Sequence, residues 1–185
     1  MNWTIPGTVL EIPRENAAFV QEQFHSLFLG GGMVLSQVTA VSGLEAHTVQ
    51  NWVRRGFLPP PMQKRYQLGQ LCRILTINSL KSVLPLEKIC SLLRYINGQL
   101  SDGSDDLIDD AQLYFMFVRL ASKAQQLLQD EDREQLLTQE LSAYKEPVPG
   151  ARQRVENTLR IMLTAYLAAR LSQQAGTMLN NIEKE

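Results

Sequence analysis

Cysteine and histidine are scarce in this chain of 185 residues, which has two of each. Cys72 and Cys90 lie eighteen positions apart, without a Cys-x-x-Cys pair or a nearby histidine. That spacing indicates neither a disulfide framework nor a zinc site, so both are expected to be buried small hydrophobes. His25 and His47 lie apart from both cysteines, and no nucleophile–base pair is readable. The sequence therefore predicts no enzyme, no catalytic residue, no bound metal and no cofactor.

Long apolar runs and a secretory signal are also missing. The longest uninterrupted apolar run covers only residues 113–118, far short of the roughly 18 to 20 residues that cross a bilayer. The first thirty residues contain Glu11, Glu15 and Glu22 and lack a basic start followed by an apolar core. We therefore expect a cytoplasmic protein with no membrane partner.

Charge is unevenly distributed, although the net charge is only −1. Residues 30–98 carry eight basic side chains against two acidic ones, whereas residues 1–29 carry one basic and three acidic side chains. Residues 99–185 carry nine basic and fourteen acidic side chains. A basic block between two acidic ones indicates that the middle of the chain meets a polyanion, and a solvated charged face is the alternative.

Proline is confined to a few positions, and the stretches between them have helical rather than alternating periodicity. The sequence thus predicts an all-α fold class, with at most a very short wing. Residues 1–32 are predicted to form an amphipathic helix capped by Asn16 and ended by a glycine hinge. Residues 33–98 are predicted to form a helix-turn-helix domain.

Residues 99–185 are predicted to form a helical bundle that serves dimerisation or an effector. The boundary is placed at the aspartate-rich segment before residue 110, whose composition favours a loop. A last helix is predicted from about residue 152 to residue 182, and its apolar stripe is broad enough for a bundle core or a dimer seam. The helix predicted over residues 109–128 is the second choice for that seam.

The most informative stretch covers residues 35–60 and is typical of a helix, a turn and a second helix. Ser36 can cap the first helix, and Gly43 supplies the left-handed conformation of the turn. The second helix is predicted from about residue 45 to residue 55, with Val49 and Trp52 turned inward.

The opposite face of that second helix carries His47, Gln50, Asn51 and Arg54 at i, i+3, i+4 and i+7. Asparagine and glutamine can pair with adenine edges and arginine with guanine edges, and the major groove admits a helix that carries them. An ordinary solvated helix face is the alternative interpretation of the same periodicity.

These residues resemble the DNA-binding domain of the MerR family of bacterial regulators, a helix-turn-helix followed by a wing and two more helices. Residues 48–52 are similar to the family's entry into the recognition helix, and residues 56–59 to the Gly-Leu and proline that follow. Residues 64–66 are similar to the Arg-x-Tyr element that ends the wing, and residues 85–89 to the start of the next helix. The match covers about residues 35–93. Gln50 departs from the family's arginine, and the wing is shortened to a proline-rich link.

The N-terminal helix and helical tail are also similar to an uncharacterised bacterial family of MerR-like proteins. The resemblance implies a sequence-specific transcriptional regulator that binds double-stranded DNA as a two-fold homodimer. The recognition helix would read bases with His47, Gln50, Asn51 and Arg54. Phosphates would be contacted by Arg55, Lys64, Arg65 and Tyr66.

Several basic and aromatic side chains have a structural alternative. Tyr66 can pack on Trp52 and Phe57 instead of touching a phosphate. Four other basic residues are expected to be exposed positions on core helices: Arg73, Lys81, Lys88 and Arg94.

Two other functions remain open from the sequence. The first is a protein-interaction module with a degenerate helix-turn-helix, supported by the shortened wing, in which residues 114–117 serve a partner. The second is a helical small-molecule sensor whose pocket is lined by Tyr114, Phe117, Met162 and Tyr166, although core packing explains these residues more simply.

Overall fold

The computed structural model of the chain describes residues 2–98, 100, 105–123 and 130–182. These residues are mostly helical, which confirms the predicted all-α class. The helices in chain order are α1 (Val20–Leu27), α2 (Leu35–Ser42), α3 (Ala46–Arg54), α4 (Leu68–Leu80), α5 (Leu86–Asn97), α6 (Asp110–Ser122), α7 (Asp130–Glu140) and α8 (Ala151–Ile182). Two 3-10 segments, Arg14–Phe19 and Leu141–Ala143, precede α1 and follow α7.

Two short antiparallel strand pairs accompany the helices, and the first of them is a hairpin. Strand β1 (Asn2–Thr4) pairs with β2 (Glu11–Pro13), and β3 (Met33–Val34) pairs with β4 (Arg65–Tyr66). The second pair is not a hairpin, because α2 and α3 lie between its two strands; β4 falls in the segment where the sequence predicts the very short wing. The first was not predicted, because strands of three residues are too short to show a period of two.

The beginning of the predicted N-terminal helix also differs from the structure. The helix was expected to start at a cap on Asn16, but residues 14–19 form a 3-10 segment that follows Pro13. The α-helix itself starts only at Val20, with Val20 and Phe24 buried. Pro13 occupies the position before the segment, and no side-chain hydrogen bond caps it.

The first hairpin is held against three helices that lie far apart in sequence. The indole Nε1 of Trp3 donates a hydrogen bond to the Tyr166 hydroxyl at 3.0 Å, and the Tyr114 hydroxyl donates to the Pro6 carbonyl at 2.8 Å. Gly7 has a φ of +74°, and a Cβ there would lie 2.0 Å from the Leu75 carbonyl oxygen. Only glycine fits where the hairpin loop meets α4.

The core is centred on α4 and α6, which pack against each other. Helix α8 packs against both of them and against α5. The buried apolar side chains before and after the predicted boundary near residue 99 form one cluster. Tyr114, Phe117 and Met162 are completely buried in it, and Phe117 meets Tyr166 edge to face with ring centroids 5.7 Å apart. Cys72 and Cys90 are buried thiols, as predicted.

The last helix, α8, confirms the predicted helix over residues 152–182. Its inner face is buried as far as Leu167, and no residue from Ala168 to Ile182 is buried. Helix α6 begins where predicted, with Asp109 as its cap, but it ends at Ser122; residues 124–128 of that prediction lie outside the described residues. No helix in the described part of the chain is both long and apolar enough to span a membrane.

Candidate nucleic-acid interface

Helices α2 and α3 are joined by the tight turn that the sequence predicts. Gly43 ends α2 with a φ of +68°, and its N–H donates to the Thr39 carbonyl at 2.8 Å. A Cβ at Gly43 would lie 2.5 Å from Cγ1 of Val9 in the N-terminal hairpin loop. Leu44 is buried beneath the turn. The angle between the two helices is therefore fixed by packing on both sides of the turn.

The inner face of this helix pair is apolar and closed. Val38 and Val49 are completely buried, and Trp52 is 4% exposed. The Asn78 side chain on α4 donates hydrogen bonds to the carbonyls of Ser42 and Gly7 at 2.9 and 2.8 Å. The pair is thus anchored to α4 and to the first hairpin, which leaves only its outer face for a partner.

The outer face of α3 carries the four residues predicted to read bases. His47, Gln50 and Arg54 are exposed, and Asn51 is half-buried. Within the described residues, none of these four side chains makes a hydrogen bond or an ion pair. Their donors and acceptors are therefore available together on one side of the helix.

The wing is a hairpin with a two-residue tip. The Arg65 N–H donates to the Met62 carbonyl at 2.8 Å, and Gln63 and Lys64 between them have φ values of +48° and +61°. Positive φ at both central residues is typical of the mirror-image turns that join twisted strands. At each of these two residues the backbone lies outside the preferred φ/ψ regions of L-amino acids, which costs roughly 1 to 2 kcal/mol. The turn presents Gln63 and Lys64 to solvent.

A polyproline segment, residues 59–61, leads from α3 into the wing. Its carbonyls are held by the Gln70 side chain, whose Nε2 donates to the carbonyls of Pro59 and Pro60 at 3.0 Å each. The wing is therefore short but fixed to the start of α4.

The other three residues predicted to bind phosphate have different surroundings. Arg55 is exposed, forms an ion pair with Glu87 at 2.6 Å and lies over the Phe57 ring at 4.5 Å. The Glu87 pKa is lowered, first by a backbone hydrogen bond and then by Arg55. Because both side chains are exposed to solvent, this ion pair is weak.

Arg65 and Tyr66 form strand β4 and hold it to its surroundings. The exposed Arg65 donates from Nη1 to the Gly32 carbonyl at 2.9 Å, which ties the glycine turn to the wing. Tyr66 is only 3% exposed, and burial raises the pKa of its hydroxyl. The expectation that Tyr66 contacts a phosphate is corrected by this burial: its ring packs in the core, which was the alternative.

A groove of about 530 Å³ lies between α3 and the wing. Gln50 and Val53 line it from α3, Ser36 from the start of α2, and Pro61 and Lys64 from the wing. The fold therefore brings one predicted base-reading residue, Gln50, and two predicted phosphate-binding residues, Lys64 and Tyr66, to a single concave surface.

The expectation that Arg73 is exposed was wrong. Arg73 is 4% exposed, and its Nη1 lies 3.2 Å from both carboxylate oxygens of Asp110. Its Nε donates to the Phe57 carbonyl at 3.1 Å, just after α3. Arg73 thus anchors the beginning of the wing segment to α6. Lys81, Lys88 and Arg94 are exposed, as expected.

Comparisons with known proteins give similarities to proteins without an assigned activity. Residues 27–117 match a family model described as a domain of unknown function (DUF1836). The chain is 30% identical over 84 residues to the uncharacterized protein YkrK of Bacillus subtilis (strain 168), an alignment that covers 43% of this chain and 36% of that protein. The chain thus aligns with about a third of the length of that relative. No solved structure matches the chain significantly. The matched family segment contains all eight residues predicted to contact DNA.

Proposed function

We propose that the chain is a sequence-specific DNA-binding protein of the transcription-regulator class, built on a MerR-like winged helix-turn-helix with α3 as the recognition helix. The observation that carries the proposal is the unpaired polar face of α3 beside an exposed basic wing tip. The same region is the basic block of the chain, with eight basic side chains against two acidic ones in residues 30–98.

Two sets of side chains have different tasks in this proposal. His47, Gln50, Asn51 and Arg54 enter the major groove, where hydrogen bonds to base edges give specificity. Lys64 and Arg55 neutralise flanking phosphates, which gives affinity and fixes the register on the duplex. Arg65 and Tyr66 support the wing from behind, through the Gly32 carbonyl and the core.

A second copy of the chain is proposed to pack along α8. Ile161, Thr164, Ala168, Leu171, Ala175, Met178 and Ile182 are spaced alternately by three and four residues and are all exposed. Such spacing places them in one stripe, as in the seam of a coiled coil. Arg170 is the one charged residue from position 168 to position 182. A projecting helix with so little charge gains from covering its apolar stripe with an identical helix.

The experiment is selection of binding sites from random duplex DNA, followed by affinity against salt concentration for an enriched and a scrambled duplex. We expect an enriched inverted repeat and a steep salt dependence. Lys64→Ala should weaken binding to both duplexes and reduce the logarithmic salt slope by about 1, because one phosphate contact is lost. Lys145→Ala, which removes an exposed lysine after α7, is the matched control and should leave the slope unchanged.

Arg54→Ala tests base reading in the same assay. It should lower affinity for the enriched duplex by roughly 1 to 3 kcal/mol and leave the scrambled duplex nearly unaffected. Equal losses on both duplexes would exclude Arg54 as a base-reading residue. If no sequence is enriched and binding stays weak at low salt, the exposed face of α3 serves a protein partner instead.

A further inference from the structure

A second concave site lies on the other side of the wing segment, between that segment and the beginning of α6. This acidic cavity has a volume of about 470 Å³. Among its lining residues are Pro59, Pro60, Asn97, Asp106, Asp109 and Asp110. None of the residues predicted to contact DNA lines it.

The charge balance of the acidic cavity is negative. Three carboxylates line it, and Arg73 is the one basic side chain among the described lining residues. The Arg73 guanidinium is committed to Asp110 and to the Phe57 carbonyl. Asp109 caps α6 by accepting from the N–H groups of Ala111 and Gln112. The negative charge of the cavity is therefore only partly neutralised by the protein.

Asn97 supplies an independent indication of a ligand. Its side chain is 5% exposed, and its Nδ2 donates to Oδ1 of Asp110 at 3.1 Å. Its Oδ1 is buried without a donor from the part of the chain that the structure describes. A buried carbonyl oxygen without a donor costs about 1 to 3 kcal/mol, so a donor from a ligand would be favourable.

The volume and the lining residues of the acidic cavity indicate which class of ligand fits it. A cavity of this volume is in the range of sites for small organic molecules. Its wing side offers the apolar rings of Pro59 and Pro60, and its opposite side offers acceptors. The Gln70 amide nitrogen, which lies nearby, already donates to the carbonyls of both prolines. A matching ligand carries positive charge and N–H donors at one end and an alkyl part at the other.

We propose that the acidic cavity binds a small organic cation with a primary ammonium or guanidinium group, whose donors reach the Asn97 Oδ1 and the Asp106 carboxylate. The carboxyl group of Asp106 has a pKa of about 6 because of partial burial and of repulsion from Asp110, Asp105 and Asp109, which Arg73 opposes. Asp106 is therefore charged, and able to attract a cation, above about pH 6.

The test is isothermal titration calorimetry of the full chain at pH 7.5 and about 0.15 M salt, which screens nonspecific surface attraction. The probes are agmatine, which has both cationic groups, butylammonium, and 1-butanol as the neutral counterpart. We expect one agmatine per chain, weaker binding of butylammonium and none of 1-butanol. Asp106→Asn should weaken agmatine binding at least tenfold, whereas Asp132→Asn, at an exposed aspartate on α7, should not.

A second measurement separates a ligand contact from a structural role. Agmatine affinity of the unaltered chain should fall when the pH is lowered from 7.5 to 5, and the affinity of the Asp106→Asn variant should change less. Circular dichroism checks that this variant is folded. The proposal is overturned if agmatine and butylammonium both fail to bind, if 1-butanol binds equally well, or if Asp106→Asn has no effect. Binding of Ca²⁺ or Mg²⁺ alone that requires Asp106 would also overturn the assignment to an organic cation.

Discussion

The Asp106 carboxyl group titrates at a higher pH in the folded chain than its ordinary pKa of 3.8. The folded state therefore holds a proton at pH values where the unfolded chain has released it. An acid with a raised pKa lowers stability once it is ionised, so the penalty grows as the pH rises from about 4 to about 6. The groups that face Asp106 and take part in this effect are Asp105, Asp109, Asp110 and Arg73.

We expect Asp106→Asn to raise the melting temperature, because asparagine carries no charge at any of these pH values. The gain should be larger at pH 7.5 than at pH 5, where the carboxyl group of the unaltered chain is largely protonated. Differential scanning calorimetry of both proteins at the two pH values measures it, with Asp132→Asn as the control. A gain that is the same at both pH values would show that the effect does not come from ionisation of Asp106.

The exposure of a side chain could be predicted from the sequence where it depends on the spacing of buried residues along one helix. It could not be predicted where it depends on a partner far away in the chain. The outward positions of His47, Gln50 and Arg54 follow from the spacing of the buried side chains on the same helix. The burial of Arg73 depends on Asp110, which lies 37 positions further on. The residues next to Arg73 in the sequence do not indicate that a distant carboxylate will pair with it and bury it.

Among the described elements of the fold, the wing turn has the most backbone strain. Gln63 and Lys64 both have positive φ, which asparagine adopts several-fold more readily than most residues. Gln63→Asn should therefore raise the free energy of unfolding by roughly 0.5 kcal/mol without removing the charge of Lys64. Gln63→Val should lower it by about 1 kcal/mol, because a β-branched residue is strained at positive φ.

Urea unfolding followed by circular dichroism gives both values. The two variants differ at one position of the same turn, so each is the control for the other. If both shift the midpoint in the same direction, the backbone at residue 63 does not determine the stability of the wing.

The longer elements agree with their sequence patterns. Helix α3 was predicted within one residue of its ends, and α8 likewise. Glycine at position 43 has the predicted left-handed conformation. The elements that were missed are the first hairpin and the 3-10 segment before α1. The hairpin is held by contacts with α4, α6 and α8, and the 3-10 segment packs against α6, so no local pattern could indicate them.

At the scale of the whole molecule, the outer part of α8 determines whether two copies associate. Met178→Glu places a charge in the proposed seam and should convert a dimer to a monomer, because a buried unpaired carboxylate is unfavourable. Asn180→Glu adds the same charge outside the stripe, at a position that is also exposed, and should leave the dimer intact. Sedimentation velocity across a concentration series measures the mass of each protein.

A monomer at every concentration, before any substitution, would contradict the proposed seam. The inverted repeat expected from site selection would then lack its physical basis, since its two half-sites reflect the two-fold symmetry of a dimer. The DNA-binding proposal for α3 would remain testable on a single half-site.

The contacts of the first hairpin also determine the order in which parts of the chain can fold during synthesis. Tyr166, to which the Trp3 indole donates, is synthesised 163 residues after Trp3. At about 5 to 20 residues per second, this interval is roughly 8 to 30 s. During the second half of this interval, Trp3 and the Gly7 loop still lack part of their native surroundings, whereas α2, α3 and α4 are already synthesised. The helix pair that carries the polar face is thus available to fold well before the hairpin that supports it can reach its final position.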